Sequence, residues 1–382
     1  MARRSAAAAA LAGTVTLLAS AGVVASGGPA HATFPAPNGN IVFAADAGSG
    51  SEIYSIRADG TGLRRLTHLA GDATHPDWSP SGRRITFALA RKDGSSHVMV
   101  MRADGRNLRD LTRSGFETQP SFTPDGRHLL FACDCGPQGI FMMGDDGTDR
   151  HRLTTHEFPD AADSDPNVSA DVRTVTFVRH QVDGQLQALL AVDLSGAHER
   201  RVVPYERDVA PKHDWAPSSR QIVLTVDADY PGGRSPNVAT VRRDGSHLRL
   251  LTHYAGGRYG AVAGSYSPDG RWVVFRVENL KARTFRLYTM HPDGSHRVLV
   301  ARLPFSPRQP DWGRRPLPLP PASWLSRPGA RSASGSARAG CAAAPPGGRC
   351  RAVRRSGPRT PRAARRRGAA RLRAGTGSPS GR

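Results

Sequence analysis

The chain has 382 residues and a formal net charge of +21, a balance that on its own suggests a nucleic-acid partner. The distribution excludes that reading for most of the chain. Leu317 to Arg382 carries fifteen arginines and no acid, Arg3 and Arg4 add two more, and Thr33 to Pro316 keeps only +4 of the +21.

The first 32 residues read as an export signal. "MARR" is a charged start, "SAAAAALAGTVTLLASAGVV" a small and apolar stretch, and Ala30-His31-Ala32 a cleavage site that sets the mature start near Thr33. No cysteine follows the apolar stretch, which excludes a lipoprotein anchor, and no later apolar run is long enough to span a bilayer. The expected location is periplasmic, in the cell envelope or secreted, with no membrane span after signal cleavage. Arg3-Arg4 leaves Sec and twin-arginine export both open.

From residue 38 the chain repeats itself. A first turn falls at Asn38-Gly39, Ser81-Gly82, Asp125-Gly126, Asp171-Val172, Ser218-Ser219 and Asp269-Gly270. A second falls at Asp59-Gly60, Asp104-Gly105, Asp146-Gly147, Ser195-Gly196, Asp244-Gly245 and Asp293-Gly294, recurring every 42 to 49 residues. Apolar runs such as "NIVFAA", "RRITFAL" and "HVMVMR" separate the turns, and short runs ending in "RRLT", "RDLT", "HRLT" or "RLLT" follow the second. Asp-Gly between alternating apolar residues signals a hairpin, because both central positions of the turn take positive φ. Each repeat therefore predicts a four-stranded meander, and the period is that of a propeller blade. The fold class is all-β, a six-bladed β-propeller over residues 33–316 with almost no helix. The turns "SADVRT" and "APSSRQ" lack glycine, so the fourth and fifth blades are expected to be the less regular side.

The first repeat lacks the "PDW" strand that opens the others, and "QPDWGRRP" at Gln309 to Pro316 supplies one after the sixth. That segment is expected to pair with the Ile41 run and close the ring, removing two open sheet edges. Trp78, Phe122, Val168, Trp215, Tyr266 and Trp312 occupy one equivalent position and are expected to wedge between neighbouring blades.

The phrase "PDWSPSGRRITF … HVMVMRADGRNLRDLT" resembles the TolB-type (WD-like) propeller repeat, in six copies over residues 38–316. That resemblance implies a six-bladed propeller and a periplasmic or extracellular protein-binding platform. In TolB an additional α/β domain precedes the propeller and is associated with much of its translocation role, so what carries over here is the propeller's part alone.

No catalytic motif is present. The chain has no G-x-S-x-G elbow, "HEFPD" and "HERRV" lack the second histidine of a zincin helix, and no glycine-rich loop has phosphate-binding spacing. The candidate binding residues stand three positions before the inter-blade aromatic: His75, Gln119, Asp165, Lys212, Ala263 and Gln309, with His213 beside Lys212. These are expected to ring one mouth of the central channel. One position before the aromatic stand Asp77, Ser121, Asn167, Asp214, Ser265 and Asp311, for which satisfying backbone donors is the expected role.

The function expected is that of an exported, monomeric, non-catalytic propeller without cofactor, binding a protein or peptide of the cell envelope. The alternative is a metal-assisted lyase or hydrolase with a divalent metal at the pore mouth, since metal-dependent lyases with similar repeats place His and Gln there. Cys133 and Cys135, in "CDC", read as a local thiol pair, too few for zinc alone. Residues 317–382, rich in Arg, Ala, Pro and Gly, lack apolar periodicity and are expected to be a disordered basic tail. The tail is either a polyanion-binding arm or an out-of-frame reading of GC-rich DNA. Nucleic acid is not expected as a partner of the propeller.

Overall fold

The computed structural model describes residues 37–112, 115–136, 138–155, 161–181, 186–228 and 233–316. The expected signal peptide (1–32) and basic tail (317–382), including Cys341 and Cys350, lie outside them. Six four-stranded antiparallel sheets follow one another along the chain.

The first sheet holds β1 (Asn38–Asp46), β2 (Ser51–Ile56) and β3 (Arg64–Arg65), and the second β4 (Asp72–Trp78), β5 (Arg84–Ala90), β6 (Ser96–Arg102) and β7 (Arg109–Asp110). The third holds β8 (Glu117–Phe122), β9 (His128–Cys133), β10 (Gly139–Gly144) and β11 (His151–Arg152). The fourth is β12 (Ala162–Val168), β13 (Thr174–His180), β14 (Gln187–Asp193) and β15 (Arg200–Val203). The fifth is β16 (Val209–Trp215), β17 (Gln221–Ala228), β18 (Ser235–Arg242) and β19 (Arg249–Leu250), and the sixth β20 (Tyr259–Tyr266), β21 (Val273–Asn279), β22 (Thr284–Met290) and β23 (Val298–Leu303). The last strand, β24 (Arg308–Arg314), joins the first sheet, with Ile41 opposite Trp312 and Val42 opposite Asp311. The ring closes as the leftover "QPDW" predicts. Among the described residues the helical content is one 3-10 turn, Tyr205–Arg207.

Hydrophobic burial is divided among the blade interfaces rather than gathered in one centre. Each of six apolar clusters joins two neighbouring blades, and each takes a different one of the repeat aromatics or Val168. Trp215, for example, sits with Val178, Leu189 and Val202 of the fourth blade and Ile222 and Leu224 of its own. Its indole N–H donates to Thr176 Oγ1 at 2.9 Å. Burying such a side chain contributes about 2–3 kcal/mol, so the ring is held at six separate joints.

The recurrent "LT" has an equally local cause. The hydroxyls of Thr67, Thr112, Thr154 and Thr252 accept the backbone N–H of Ile53, Val98, Ile140 and Val238, at 2.9, 3.0, 3.0 and 2.9 Å. Each threonine ties its blade's outermost segment to the strand beside it. The fourth and sixth repeats, which read "RRVV" and "RVLV", have no threonine there.

The glycine-less turns of blades four and five depart from expectation. Val172 N–H donates to Ser169 O and Ser219 N–H to Ala216 O, both at 2.8 Å, as Gly82 does to Ser79. The geometry of the other turns is retained, but at φ +57° for Val172 and +56° for Ser219. Non-glycine residues occupy that left-handed region at a steric cost, greatest for a β-branched one. The irregularity is thus stored as backbone strain and not as a changed turn.

Candidate functional site

The innermost strands β4, β8, β12, β16, β20 and β24 line the channel, and each carries one irregularity. Their ladders skip between Thr74 and Asp77, Thr118 and Ser121, Ser164 and Asn167, Ala210 and Asp214, Ala263 and Tyr266, and at the residues before Asp311. A bulge re-aims side chains, and here it does so through left-handed backbone. His75, Gln119, Asp165, Lys212 and Gln309 have φ of 51°, 52°, 50°, 82° and 45°. In four of the six repeats a proline follows (Pro76, Pro120, Pro166, Pro310) and removes a ladder donor at that point. The sixth repeat places Ala263 there, followed by Gly264, where an added Cβ would lie 2.5 Å from Pro310 O.

His75, Gln119, Asp165, Lys212 and Gln309 are brought together around one mouth, as the repeat alignment predicts. They line a cavity of only about 10 Å³, room for a single water. The side chains of Gln119 and Asp165 are engaged with the backbone of the next blade, while Gln309 Oε1 is buried without a hydrogen-bond partner among the described residues. Gln119 Oε1 accepts the N–H of Asp165 at 2.9 Å, and Asp165 Oδ2 accepts those of Lys212 and His213 at 2.6 and 3.0 Å. Gln119 Nε2 lies 3.5 Å from His75 Nε2. Neither Ala263 nor His213 lines this cavity. His213 is fully buried, with Nε2 2.8 Å from Thr176 Oγ1 and Nδ1 3.0 Å from Asp165 Oδ2.

The residues one before the aromatic form a second ring, deeper in the channel, and it is a closed circuit of hydrogen bonds between blades. Asp77 Oδ2 accepts the N–H of Phe122 at 2.9 Å, Ser121 donates to Pro166 O at 2.6 Å, and Asn167 Nδ2 donates to His213 O at 3.0 Å. Asp214 Oδ2 accepts from Tyr266 at 2.8 Å, Ser265 Oγ from Trp312 at 2.7 Å, and Asp311 Oδ2 from Trp78 at 2.9 Å. Every blade is bonded to the next through a short polar side chain.

Three carboxylates in that circuit converge on one cation. Lys212 Nζ is 3.6 Å from Asp311 Oδ1. Burial alone would lower its pKa, but Asp311, Asp77, Asp165 and Asp214 raise it above the ordinary lysine value. Burial and the Asp311 charge push Asp214 up to about 7, against the pull of Lys212. The same two causes raise Asp77 well above its usual value. Burial would raise Asp165 too, but the hydrogen bond and charge of His213, with Lys212, hold it below the usual range. His75 falls to about 4 because burial, with Lys212 and Arg308, outweighs the attraction of Asp165. Beyond the circuit lies a cavity of about 100 Å³. The channel thus holds one carboxyl, Asp214, pushed up to about 7, and among the described residues its cavities are smaller than the roughly 300–1,000 Å³ typical of pockets for organic ligands.

Larger concavities lie off the axis. On the His75 face, a groove of about 880 Å³ at the seam of the first and sixth blades is lined by Asp46, Asp72, Arg283, Phe285, Phe305 and Arg308, among others. The same face carries Phe116, 54% exposed, before β8, and Leu280, 50% exposed, after β21. On the opposite face, a recess of about 1060 Å³ is lined by Arg200, Arg220, Arg242 and Arg243 with Asp171 and Asp244. Arg243 there is engaged with Asp171 at 2.6 Å and with Thr174. Repeat alignment does not single out the seam groove, whose loops differ between repeats, whereas the recess on the opposite face is built from the first and second turns that the alignment marks.

The family model of the TolB beta propeller domain matches residues 68–258. A protein TolB homolog of Chlorobium luteolum is 28% identical over 139 residues, 36% of this chain and 31% of that relative. A Tol-Pal system protein TolB of Bordetella pertussis is 47% identical over 58 residues, 14% of this chain and 13% of its own. The matched segments thus span less than a third of these curated relatives. The solved TolB of Acinetobacter baumannii aligns with a TM-score of 0.57 at 18% identity, covering 72% of this chain and 67% of that one. A putative TolB of Agrobacterium tumefaciens aligns at 0.54 and 17%, covering 73% and 99%. At such identities the structural likeness establishes the fold alone.

Proposed function

We propose, from the premise that this chain belongs to the TolB beta propeller domain family, that it is an exported, non-catalytic propeller binding a protein or peptide of the cell envelope. Its partner docks on the His75 face of the ring, on the loops around the mouth. One observation carries the reading: the mouth is closed to about 10 Å³ by its own side chains, while the seam groove beside it offers about 880 Å³. A groove with two phenylalanines and charges of both signs suits a peptide segment, whose alternating side chains need apolar and polar contacts within reach. Phe116 and Leu280 extend apolar surface on the same face. The Bordetella relative is named as a Tol-Pal system protein, and an envelope protein is the corresponding partner class here.

The alternative, a divalent metal at the mouth serving a lyase or hydrolase, needs several ligands free to turn toward one point. His75 is the one histidine lining that cavity, and Gln119 and Asp165 are spent on backbone donors. A photo-crosslinking residue at Phe305 or Phe116, in the protein exported from its own cell, tests the two readings. The binding reading predicts a discrete protein adduct from both positions and none from Arg127, which is exposed in a first turn on the opposite face. Absence of an adduct, or stoichiometric divalent metal lost on His75→Ala, would move the assignment to the enzyme.

A further inference from the structure

Away from the channel, the third blade holds a sulfur site that the binding function does not use. Cys133 ends β9, Cys135 stands two residues on, and their sulfurs are joined in a disulfide. Glu117, opposite Cys133 in the ladder, has a fully buried side chain whose Oε2 accepts the N–H groups of Gly115 and Phe116 at 3.0 and 3.1 Å. Arg150 Nη1 donates to Glu117 Oε1 at 2.6 Å, and its guanidinium lies 5.2 Å from the ring centroids of both Phe131 and Phe141. Thus anchored, Nη2 faces the two sulfurs, 3.0 Å from Cys133 Sγ and 2.7 Å from Cys135 Sγ.

This arrangement suits an anion better than a neutral disulfide. Divalent sulfur is a weak acceptor, whereas a thiolate beside a guanidinium is stabilised and its pKa lowered. The Glu117 charge, which would oppose a thiolate, is offset by Arg150 and two backbone donors. A bridge between residues two apart also closes too short a loop to constrain the unfolded chain much, so a stabilising role accounts poorly for it.

We propose that Cys133 and Cys135 form a redox-active dithiol–disulfide site that exchanges electrons with disulfides of exported proteins. Arg150 is its positioning residue. Cys135 is the entering thiol, because it is partly exposed while Cys133 is only 2% exposed. In the reduced site the Cys135 thiolate attacks one sulfur of the partner disulfide, giving a mixed disulfide and releasing the partner's other sulfur as thiolate. Cys133 thiolate then attacks Cys135 Sγ, reforming the internal bridge and releasing the second partner thiolate. Two electrons pass to the partner, the protons of the two cysteines go to solvent, and the partner thiolates take up protons from solvent. The reverse sequence reduces the site.

The test uses the full exported chain with Cys341→Ser and Cys350→Ser, so that only this pair reports. Equilibration in glutathione buffers of graded redox ratio, followed by maleimide trapping of the folded protein, is expected to show two thiols appearing and disappearing together, reversibly. With a small aromatic disulfide as probe, the reduced protein is expected to react with a pH midpoint below about 7.5, against about 8.5 for an ordinary cysteine. Arg150→Gln is expected to raise that midpoint by about one pH unit. The proposal is overturned if the bridge yields thiols only on unfolding, or if the midpoint stays near 8.5 with Arg150 in place. The second measurement needs no variant at Arg150 and stands even where Arg150→Gln does not fold.

Discussion

Asp311 Oδ2 accepts the backbone N–H of Trp78 at 2.9 Å across 233 residues of chain. This one bond ties the closing strand to the second blade and completes the circuit in the channel. Asp311→Ala leaves the Trp78 donor unsatisfied and removes the carboxylate nearest Lys212, and is expected to cost about 2 kcal/mol. Asp311→Asn keeps an acceptor and is expected to lose less than half as much. Urea unfolding at pH 5 is the appropriate measurement, because at higher pH the relief of repulsion on Asp77 and Asp214 would mask part of the loss. Equal effects of the two substitutions would mean that the bond to Trp78 is not what the aspartate supplies.

The channel makes stability pH-dependent in two opposed ways. Asp214 is pushed up to about 7 by burial and by Asp311, so the folded state holds its proton more tightly than the unfolded chain does. Its contribution is favourable below about 4, falls as pH rises toward 7, and is a constant penalty above that. Asp214→Asn is therefore expected to gain relative to the natural protein as pH goes from 4 to 8. His75, lowered to about 4 chiefly by burial, acts inversely, because the unfolded chain takes up its proton first. Stability is lost as pH falls from about 6.5 to about 4, and His75→Gln is expected to remove that acid-side slope. Urea midpoints across pH 4–8 for the three proteins decide both. Parallel curves would overturn the account.

Val172 and Ser219 stand where the other repeats, the fourth and fifth excepted, have glycine, and they hold φ near +57°. Glycine enters that region without the steric penalty, so Val172→Gly is expected to raise stability by about 1 kcal/mol, and Ser219→Gly by about 0.5 kcal/mol. The side-chain hydroxyl of Ser219 accepts from Asp171 N–H at 2.9 Å, which is why its gain is smaller. A rise in thermal midpoint for Val172→Gly larger than for Ser219→Gly is the expected order. A loss in both would show that these turns are not strained.

Much of this was legible in the sequence, because a repeat multiplies weak local signals. The Asp-Gly turns set the hairpins, the repeat aromatics mark the six interfaces, and a strand missing at residue 38 with one to spare at 309 implies a closed ring. The channel-mouth residues follow from the same alignment. The bulge that turns them inward has its own sequence signal, in His75-Pro76, Gln119-Pro120, Asp165-Pro166 and Gln309-Pro310: a proline inside a strand that must otherwise donate. His213 adjoins Lys212 in sequence but does not line the mouth. In the fifth inner strand His213 itself stands where four other repeats have the proline, and its side chain is buried against Thr176. Charge coupling through the channel and the seam groove depend on side chains from different blades meeting, and the guanidinium held over the cysteines on different strands of one blade meeting, neither of which spacing along the chain encodes.

Gly313, one residue past Trp312, lies against the ring of Trp78. An added Cβ there would fall 2.4 Å from Trp78 Cγ and Cδ2, far inside contact distance, and an indole cannot yield as a flexible chain end does. Its own φ is not in the left-handed region, so a substitution tests the close approach and nothing else. Gly313→Ala is expected to destabilise by about 1–3 kcal/mol through overpacking. If the indole is the obstacle, Trp78→Leu in the same chain makes room, and the double variant is expected to lose less than the sum of the single losses, with a coupling of about 1 kcal/mol or more. Additive losses would place the strain in the backbone of the closing strand and not in its contact with the second blade. The cycle therefore separates closure by a fitted aromatic from closure by strand pairing alone.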